Sequence, residues 1–210
     1  VPLAEQLGLM PELSRWVLEE ICRLCAGWLA SGRALVPISV NVSARHFQTG
    51  EVPRVVRDAL RRWELDPRLL HIEVTESAAL HDVDFMSEQF DLLRELGIGL
   101  ELDDFGTGYS SLSYLMRYPL DVLKIDRSFV SELHFNDDSR AIVKATLAMA
   151  KSLGLGVVAE GVETSDELGC LMALGCNRVQ GYLIGRPMPA DEFEGLLGRG
   201  GVELGVSYVA

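Results

Sequence analysis

Two adjacent carboxylates, Asp103 and Asp104, close an apolar, strand-like run that begins at Ile98. A glycine-rich stretch, Phe105-Gly106-Thr107-Gly108-Tyr109-Ser110-Ser111, follows at once. Neighbouring side chains on a strand point to opposite faces. Two adjacent aspartates therefore converge on a common ion only where the strand ends and the chain bends. Gly106 and Gly108 permit that bend, because glycine accepts positive φ at little cost. Taken alone, the pair equally describes a polar loop after a strand.

Five other strand-like runs end on residues of the same chemistry. Asn41 lies near the end of Leu35 to Ser43, and Glu73 with Glu76 near the end of Leu69 to Glu76. Lys124 with Asp126 closes Val122 to Asp126, Glu160 (with Glu163 nearby) closes Gly156 to Glu160, and Gln180 stands in Arg178 to Tyr182. Each has a plain structural alternative. Asn41 could cap the next element, Glu73 could face solvent, Lys124 could snorkel at an edge, and Glu160 and Gln180 could satisfy loop amides. All six strand ends doing so together is hard to ascribe to chance. Clustered carboxylates repel one another, and divalent cations remove that cost. Oxygen ligands with one Asn amide suit Mg²⁺ or Mn²⁺, since no Cys or His stands at a strand end. Two hard cations about 4 Å apart, bridged by a carboxylate, are a common arrangement for phosphodiester hydrolysis. A lysine beside them can orient water or neutralise transition-state charge. Nothing resembles a nucleophile elbow or a Ser–His pair, so a covalent acyl mechanism is not indicated.

The elements that must position these groups alternate regularly. Leu13, Trp16, Val17, Ile21, Leu24, Cys25, Trp28 and Leu29 recur at helical spacing ahead of the first strand. Helices with apolar faces then separate the strands: Val55, Val56, Ala59, Leu60 and Trp63; Phe85, Met86, Phe90, Leu93 and Leu96; Ile142, Val143, Leu147, Ala150 and Leu153. Gly97, Gly154 and Gly175 stop helices, and Thr164-x-x-Glu167 has capping-box spacing. A short helix is predicted after Ser110 and a last one over Asp191 to Leu197. Strand–helix alternation means parallel strands with crossover helices, either an open doubly wound sheet or most of a (β/α)8 barrel. A dinucleotide-binding sheet is disfavoured, since no Gly-x-Gly-x-x-Gly follows the first strand. In a barrel all C-terminal strand ends share one face, which brings the polar residues together.

Length and composition fit this picture. The 210 residues suit one domain, with residues 1–198 as its body and 199–210 as a Gly-rich tail in which Val202 to Val209 could form a stray strand. The net charge of −12 argues against binding a nucleic-acid polymer through its backbone, which needs a basic face. Cys22-x-x-Cys25 has the spacing of half a zinc site, but it lies in an amphipathic helical stretch and Cys170 and Cys176 have the wrong spacing for the other half, so the four read as reduced, buried thiols, which fits the cytoplasm. His46, His71, His81 and His134 sit at unpatterned positions and read as surface or packing residues. No apolar run is long enough for a membrane segment, and Val1-Pro2-Leu3 without an initiator Met reads as the start of a fragment or processed product.

Together the motifs resemble the EAL family of bacterial cyclic-di-GMP phosphodiesterases. The resemblance runs from Val1-Pro2-Leu3-Ala4-Glu5 to about Pro189. It is carried by Asn41-Val42-Ser43, Glu73-Val74-Thr75-Glu76, Asp103 to Ser111, Leu123-Lys124-Ile125-Asp126, Ala159-Glu160-Gly161-Val162-Glu163, and Val179-Gln180-Gly181-Tyr182 with Gly185-Arg186-Pro187. It implies a TIM-like α/β barrel with one strand reversed, and hydrolysis of cyclic di-GMP to linear pGpG with two Mg²⁺ or Mn²⁺ ions. By resemblance, Asn41, Glu73, Asp103 and Asp104 match metal ligands, with Asp103 as the bridge. Lys124 matches the lysine that contacts the catalytic water. Glu160 matches a glutamate near the second metal, also proposed as general base. Gln180 matches the last active-site polar group, and Glu163, Arg186 and Pro187 match contacts to a guanine. Glu76 matches the glutamate that anchors the loop from Phe105 through Gly106, Thr107 and Gly108 to Ser111, which also implies a homodimer contact. The resemblance further implies upstream sensory or GGDEF-type domains in a parent protein, which could itself be membrane-anchored.

The Glu-Ala-Leu motif of the family lies upstream of the segment that Val1 to Leu9 resembles, so an N-terminally truncated barrel of about six βα units is expected. The alternatives are a non-catalytic cyclic-di-GMP receptor, an inactive fragment, or another (β/α)8 metal hydrolase.

Overall fold

The computed structural model of the chain describes residues 2–107, 114–197 and 207–208. The first three βα units are built from α1 (Pro2–Gln6), α2 (Met10–Ala30), β1 (Ile38–Asn41), α3 (Ala44–Gln48), α4 (Val52–Trp63), β2 (Leu70–Thr75), α5 (Glu76–Ala79), α6 (Val83–Glu95) and β3 (Gly99–Phe105). The rest comprises β4 (Val122–Ile125), α7 (Arg127–Val130), α8 (Asp137–Leu153), β5 (Gly156–Ala159), α9 (Ser165–Ala173), β6 (Arg178–Val179), α10 (Ala190–Leu197) and a two-residue β7 (Ser207–Tyr208). The helix predicted after Ser110 falls largely outside the described residues, as does most of the tail.

Strands pair in chain order, and every pair is parallel. Strands β1 to β6 form a curled, TIM-like half-barrel with helices on its outer side: of the two architectures that the alternation left open, the barrel, as the resemblance implied. The reversed strand implied by the resemblance is not among the described strands. In-order parallel pairing needs a crossover helix between neighbours and carries every strand's C-terminal end to the same rim.

The sheet's outer face holds the main core. Ile72, Leu70, Leu100 and Leu102 are fully buried beside Phe90 and Leu93 of α6 and Val56 and Ala59 of α4. Each such aliphatic side chain contributes about 1.5–3 kcal/mol on burial. A smaller cluster of Ile125, Val130, Val143, Ala159, Leu171 and Val179 covers the far end. Period-2 alternation sends the intervening residues to the concave face: Ser39 and Asn41, His71 and Glu73, Glu101 and Asp103, and Lys124.

Helix ends follow their sequence signals. Thr164 and Glu167 form the reciprocal capping box, and Gly154 caps α8 in the left-handed conformation. Cys22, Cys25 and Cys176 are buried free thiols and Cys170 is half-buried. Burial pushes the Cys22 thiol up to about 12, so it is inert rather than metal-ready. Among the described residues no helix is long and apolar enough to cross a membrane.

Candidate active site at the C-terminal rim

The acidic pair is positioned differently from the simple reading. Strand β3 does not end before Asp103 but runs to Phe105, and its register against β4 slips between Leu102 and Phe105. The slip is a bulge, and the residue that takes up the bend is Asp104, with φ of +56°. Aspartate tolerates this left-handed conformation better than most residues. A bulge breaks strand alternation and re-aims a side chain, so the two neighbouring carboxylates converge without the strand stopping. Gly106, also at positive φ, continues the turn, which Thr107 closes by donating its Oγ1 hydroxyl to Asp104 O at 2.9 Å.

Lys124 is the centre of the cluster. It is 2% exposed, and its ammonium lies 2.6 Å from Glu160 Oε1, 2.9 Å from Glu73 Oε2 and 3.5 Å from Asp103 Oδ1. Asn41 donates from Nδ2 to the same Glu73 Oε2 at 2.6 Å. Lys124 is therefore not a snorkelling edge residue, and Glu73 does not face solvent. Cross-strand register explains the meeting: Asn41 is opposite Glu73, and Lys124 is opposite Val158, two residues before Glu160.

Burial pushes the Glu73 carboxyl above its ordinary range, against the pull of Lys124. Burial likewise raises Glu160, against Lys124 and with help from Asp103 and Glu73. Burial alone would lower the Lys124 ammonium, but Glu73, Glu160 and Asp103 together hold it above its ordinary value. Asp104 is raised by burial and by its neighbours Asp103 and Asp126. A site that raises its own carboxylates is short of positive charge, which favours binding a cation.

Asp103, Asp104 and Glu160 each present an oxygen within 4.8 Å of the others. A donor set made only of carboxylate oxygens fits a hard divalent cation and not a thiophilic one.

The remaining candidates are spread along the rim. Gln180 is half-buried, and its backbone N–H donates to Ala159 O at 2.8 Å, so it sits next to Glu160. Glu163 is exposed and paired with Arg127 at 2.9 Å. Arg186 is exposed and stacks over the Tyr182 ring, its guanidinium carbon 4.5 Å from the centroid, and Pro187 is exposed beside it. Asp126 is committed to capping α7, its side chain accepting Ser128 N–H at 2.9 Å, and it reaches the cluster only through its charge on Asp104. Glu76 is 1% exposed and accepts the Gly106 N–H at 3.0 Å. Gly108 to Ser111, expected as the rest of that anchored loop, lie outside the described residues.

The cluster extends one layer deeper than the motifs suggested. Glu101 is 3% exposed and accepts from Ser39 Oγ at 3.0 Å, and His71 Nδ1 lies 2.6 Å from the same oxygen. His71 is thus an inward residue, and its ring lies where a Cβ on Gly99 would stand. The signal was present in Gly-Leu-Glu-Leu-Asp: Glu101 is two residues before Asp103 and must share its face.

The EAL domain family matches this chain over residues 1–187, and the chain belongs to that family. The bifunctional diguanylate cyclase/cyclic di-GMP phosphodiesterase MucR of Pseudomonas aeruginosa is 48% identical over 192 residues, which is 91% of this chain and 28% of MucR. A solved structure of the PaMucR phosphodiesterase in complex with cyclic di-GMP superposes with a TM-score of 0.87 at 48% identity, over 91% of this chain and 78% of that one. The EAL domain of Mycobacterium smegmatis DcpA superposes with a TM-score of 0.86 at 38% identity, over 92% of this chain and 87% of that one. The chain thus spans little more than a quarter of the curated relative's length.

Proposed function

We propose that this domain hydrolyses cyclic di-GMP to linear pGpG. The observation that carries the reading is the Asp103–Asp104–Glu160 oxygen cluster built around a buried lysine. Asn41, Glu73, Asp103, Asp104 and Glu160 would hold two divalent cations, Mg²⁺ or Mn²⁺, with Asp103 shared between them. Bound there, such ions polarise a phosphodiester and make water a better nucleophile.

The chain's own groups supply the rest. Water attacks phosphorus, the bond from phosphorus to the 3′ oxygen breaks, that oxygen takes up a proton from solvent to become the 3′ hydroxyl, and the 5′ phosphate stays on the product. Glu160, with its raised proton affinity and its contact to Lys124, accepts the proton that the water loses. Lys124 keeps positive charge beside the phosphoryl oxygens as negative charge builds there. Gln180, Glu163, Arg186 and Pro187 line the outer rim, and the Tyr182–Arg186 stack offers a flat surface for a purine. The reading includes a homodimer formed through the stretch after Asp104, a place in a longer cytoplasmic signalling protein with sensory or GGDEF-type domains, and residues 1–198 as the domain body.

The test is incubation of the purified chain with cyclic di-GMP and Mg²⁺ or Mn²⁺, with chromatographic analysis of products. Accumulation of pGpG supports hydrolysis. Saturable binding of cyclic di-GMP with no product over many hours makes the domain a receptor instead.

A further inference from the structure

The buried carboxylate of Glu76 is engaged on both sides of the stretch that follows the acidic pair. Its Oε2 accepts the Gly106 N–H at 3.0 Å, and its Oε1 accepts the Tyr114 hydroxyl at 2.8 Å. Tyr114 is 2% exposed. A second tyrosine repeats the stitch nearby: Tyr118 OH donates to Ala79 O, the last residue of α5, at 2.6 Å. The two tyrosine rings are 5.9 Å apart, and Tyr118 meets Phe90 edge-on at 4.9 Å. Phe90 in turn meets Phe47 at 5.7 Å. The turn holding Tyr114 is therefore packed rigidly against α5 and α6, and its hydroxyl reaches Glu76 from a fixed base.

We propose that Tyr114 is a positioning residue for Asp104. The path is short and made of named bonds. The Tyr114 hydroxyl fixes the rotamer of Glu76, Glu76 fixes the Gly106 amide, and the turn from Asp104 to Thr107 holds Asp104 at its positive φ. Asp104 benefits from such support because aspartate tolerates the left-handed conformation better than most residues but still holds it at a cost. A buried carboxylate that loses one of its donors finds no water to replace it and turns to seek another partner. Loss of the hydroxyl is thus expected to loosen Gly106 first and the aim of Asp104 second.

The metal-affinity part of this proposal rests on the metal-dependent hydrolysis proposed above; the dynamic part does not. Tyr114→Phe keeps the ring and its packing while deleting the donor. Tyr118→Phe is the control, since it deletes an equally buried hydroxyl bond that does not touch Glu76. Amide hydrogen exchange should show Gly106 exchanging about tenfold faster or more in Tyr114→Phe and within about twofold of wild type in Tyr118→Phe. Calorimetric titration with Mn²⁺ should show an affinity about tenfold weaker in Tyr114→Phe only. Unchanged Gly106 exchange in Tyr114→Phe, or the same loss in both variants, overturns the proposal. If wild-type protein binds no Mn²⁺, the hydrolysis reading fails, and the exchange result alone then decides the role of Tyr114.

Discussion

Replacing Lys124 by Met tests whether the carboxylate cluster is held together by one internal charge. Met has similar length and no charge, so packing changes little while the ammonium is lost. Glu73, Asp103 and Glu160 then face each other at the positions where Lys124 stood 2.9, 3.5 and 2.6 Å away. Removing one partner of a buried ion pair typically costs about 3–5 kcal/mol, because the remaining charge is left uncompensated. Three carboxylates sharing one lysine place this variant at the upper part of that range, unless they take up protons. For a chain of this size, a loss of about 3–5 kcal/mol lowers the midpoint of thermal unfolding by roughly 6–20 °C. The sign of the pH effect follows. Burial already holds the Glu73 and Glu160 carboxyls above their ordinary values against the pull of Lys124, and losing that pull raises them further, so the variant recovers stability as pH falls and loses it as pH rises. The assay is urea unfolding of both proteins at about pH 8 and pH 5.5, in chelator and in millimolar Mg²⁺. The variant should be less stable in chelator, by less at the lower pH, and should gain more from Mg²⁺ than wild type does, since the ion replaces the missing charge. Equal stability of the two proteins in chelator would refute the reasoning, because Glu73, Asp103 and Glu160 cannot lose the ammonium they share without cost.

Two further perturbations address the scaffold. A Cβ on Gly181 would lie 2.1 Å from the Val162 carbonyl oxygen, backbone against backbone, so Gly181→Ala should cost about 3 kcal/mol or more and displace the Glu160 strand end from Gln180; near-normal stability by urea unfolding would show that this approach is looser. His46 is fully buried, with neither ring nitrogen hydrogen-bonded, and burial together with Arg15 holds its pKa below the ordinary value, against Glu51 and Glu12. Its neutral form thus stabilises the fold fully above the unfolded pKa near 6.5, and that contribution is lost as pH falls through the lower folded value. His46→Leu should flatten the fall in unfolding free energy between about pH 7 and pH 5.5, and an unchanged slope would remove His46 as its source.

Much of the scaffold was legible because apolar periodicity and glycine stops are local properties. The alternation of Leu100 and Leu102 with Glu101 and Asp103 gave both the strand and its two faces. What was not legible depended on a partner strand. The bulge at Asp104 arises from register against β4, and no residue type demands it, so the bend was assigned to Gly106 and Gly108 instead. Asp126 stands beside Lys124 in sequence, yet the start of α7 directly behind it turns its side chain to capping and leaves it only a charge effect on Asp104. Tyr114 carried no signal at all, since its partner Glu76 is 38 residues away in sequence. Glu101 and His71 follow from parity alone, since each stands two residues before a rim carboxylate, Asp103 and Glu73, and so shares its face.

The most direct test of a cation-dependent phosphodiesterase centre is the Asp103→Asn substitution, with cyclic di-GMP binding and turnover measured on the same preparation in Mn²⁺. The substitution is isosteric, and it removes the charge of the carboxylate proposed above to serve both ions. Wild type should yield pGpG, and the variant should fold normally yet turn over at least about a thousandfold more slowly. Wild-type turnover in Asp103→Asn, or an absence of product from the wild-type chain despite bound cyclic di-GMP, would contradict the account.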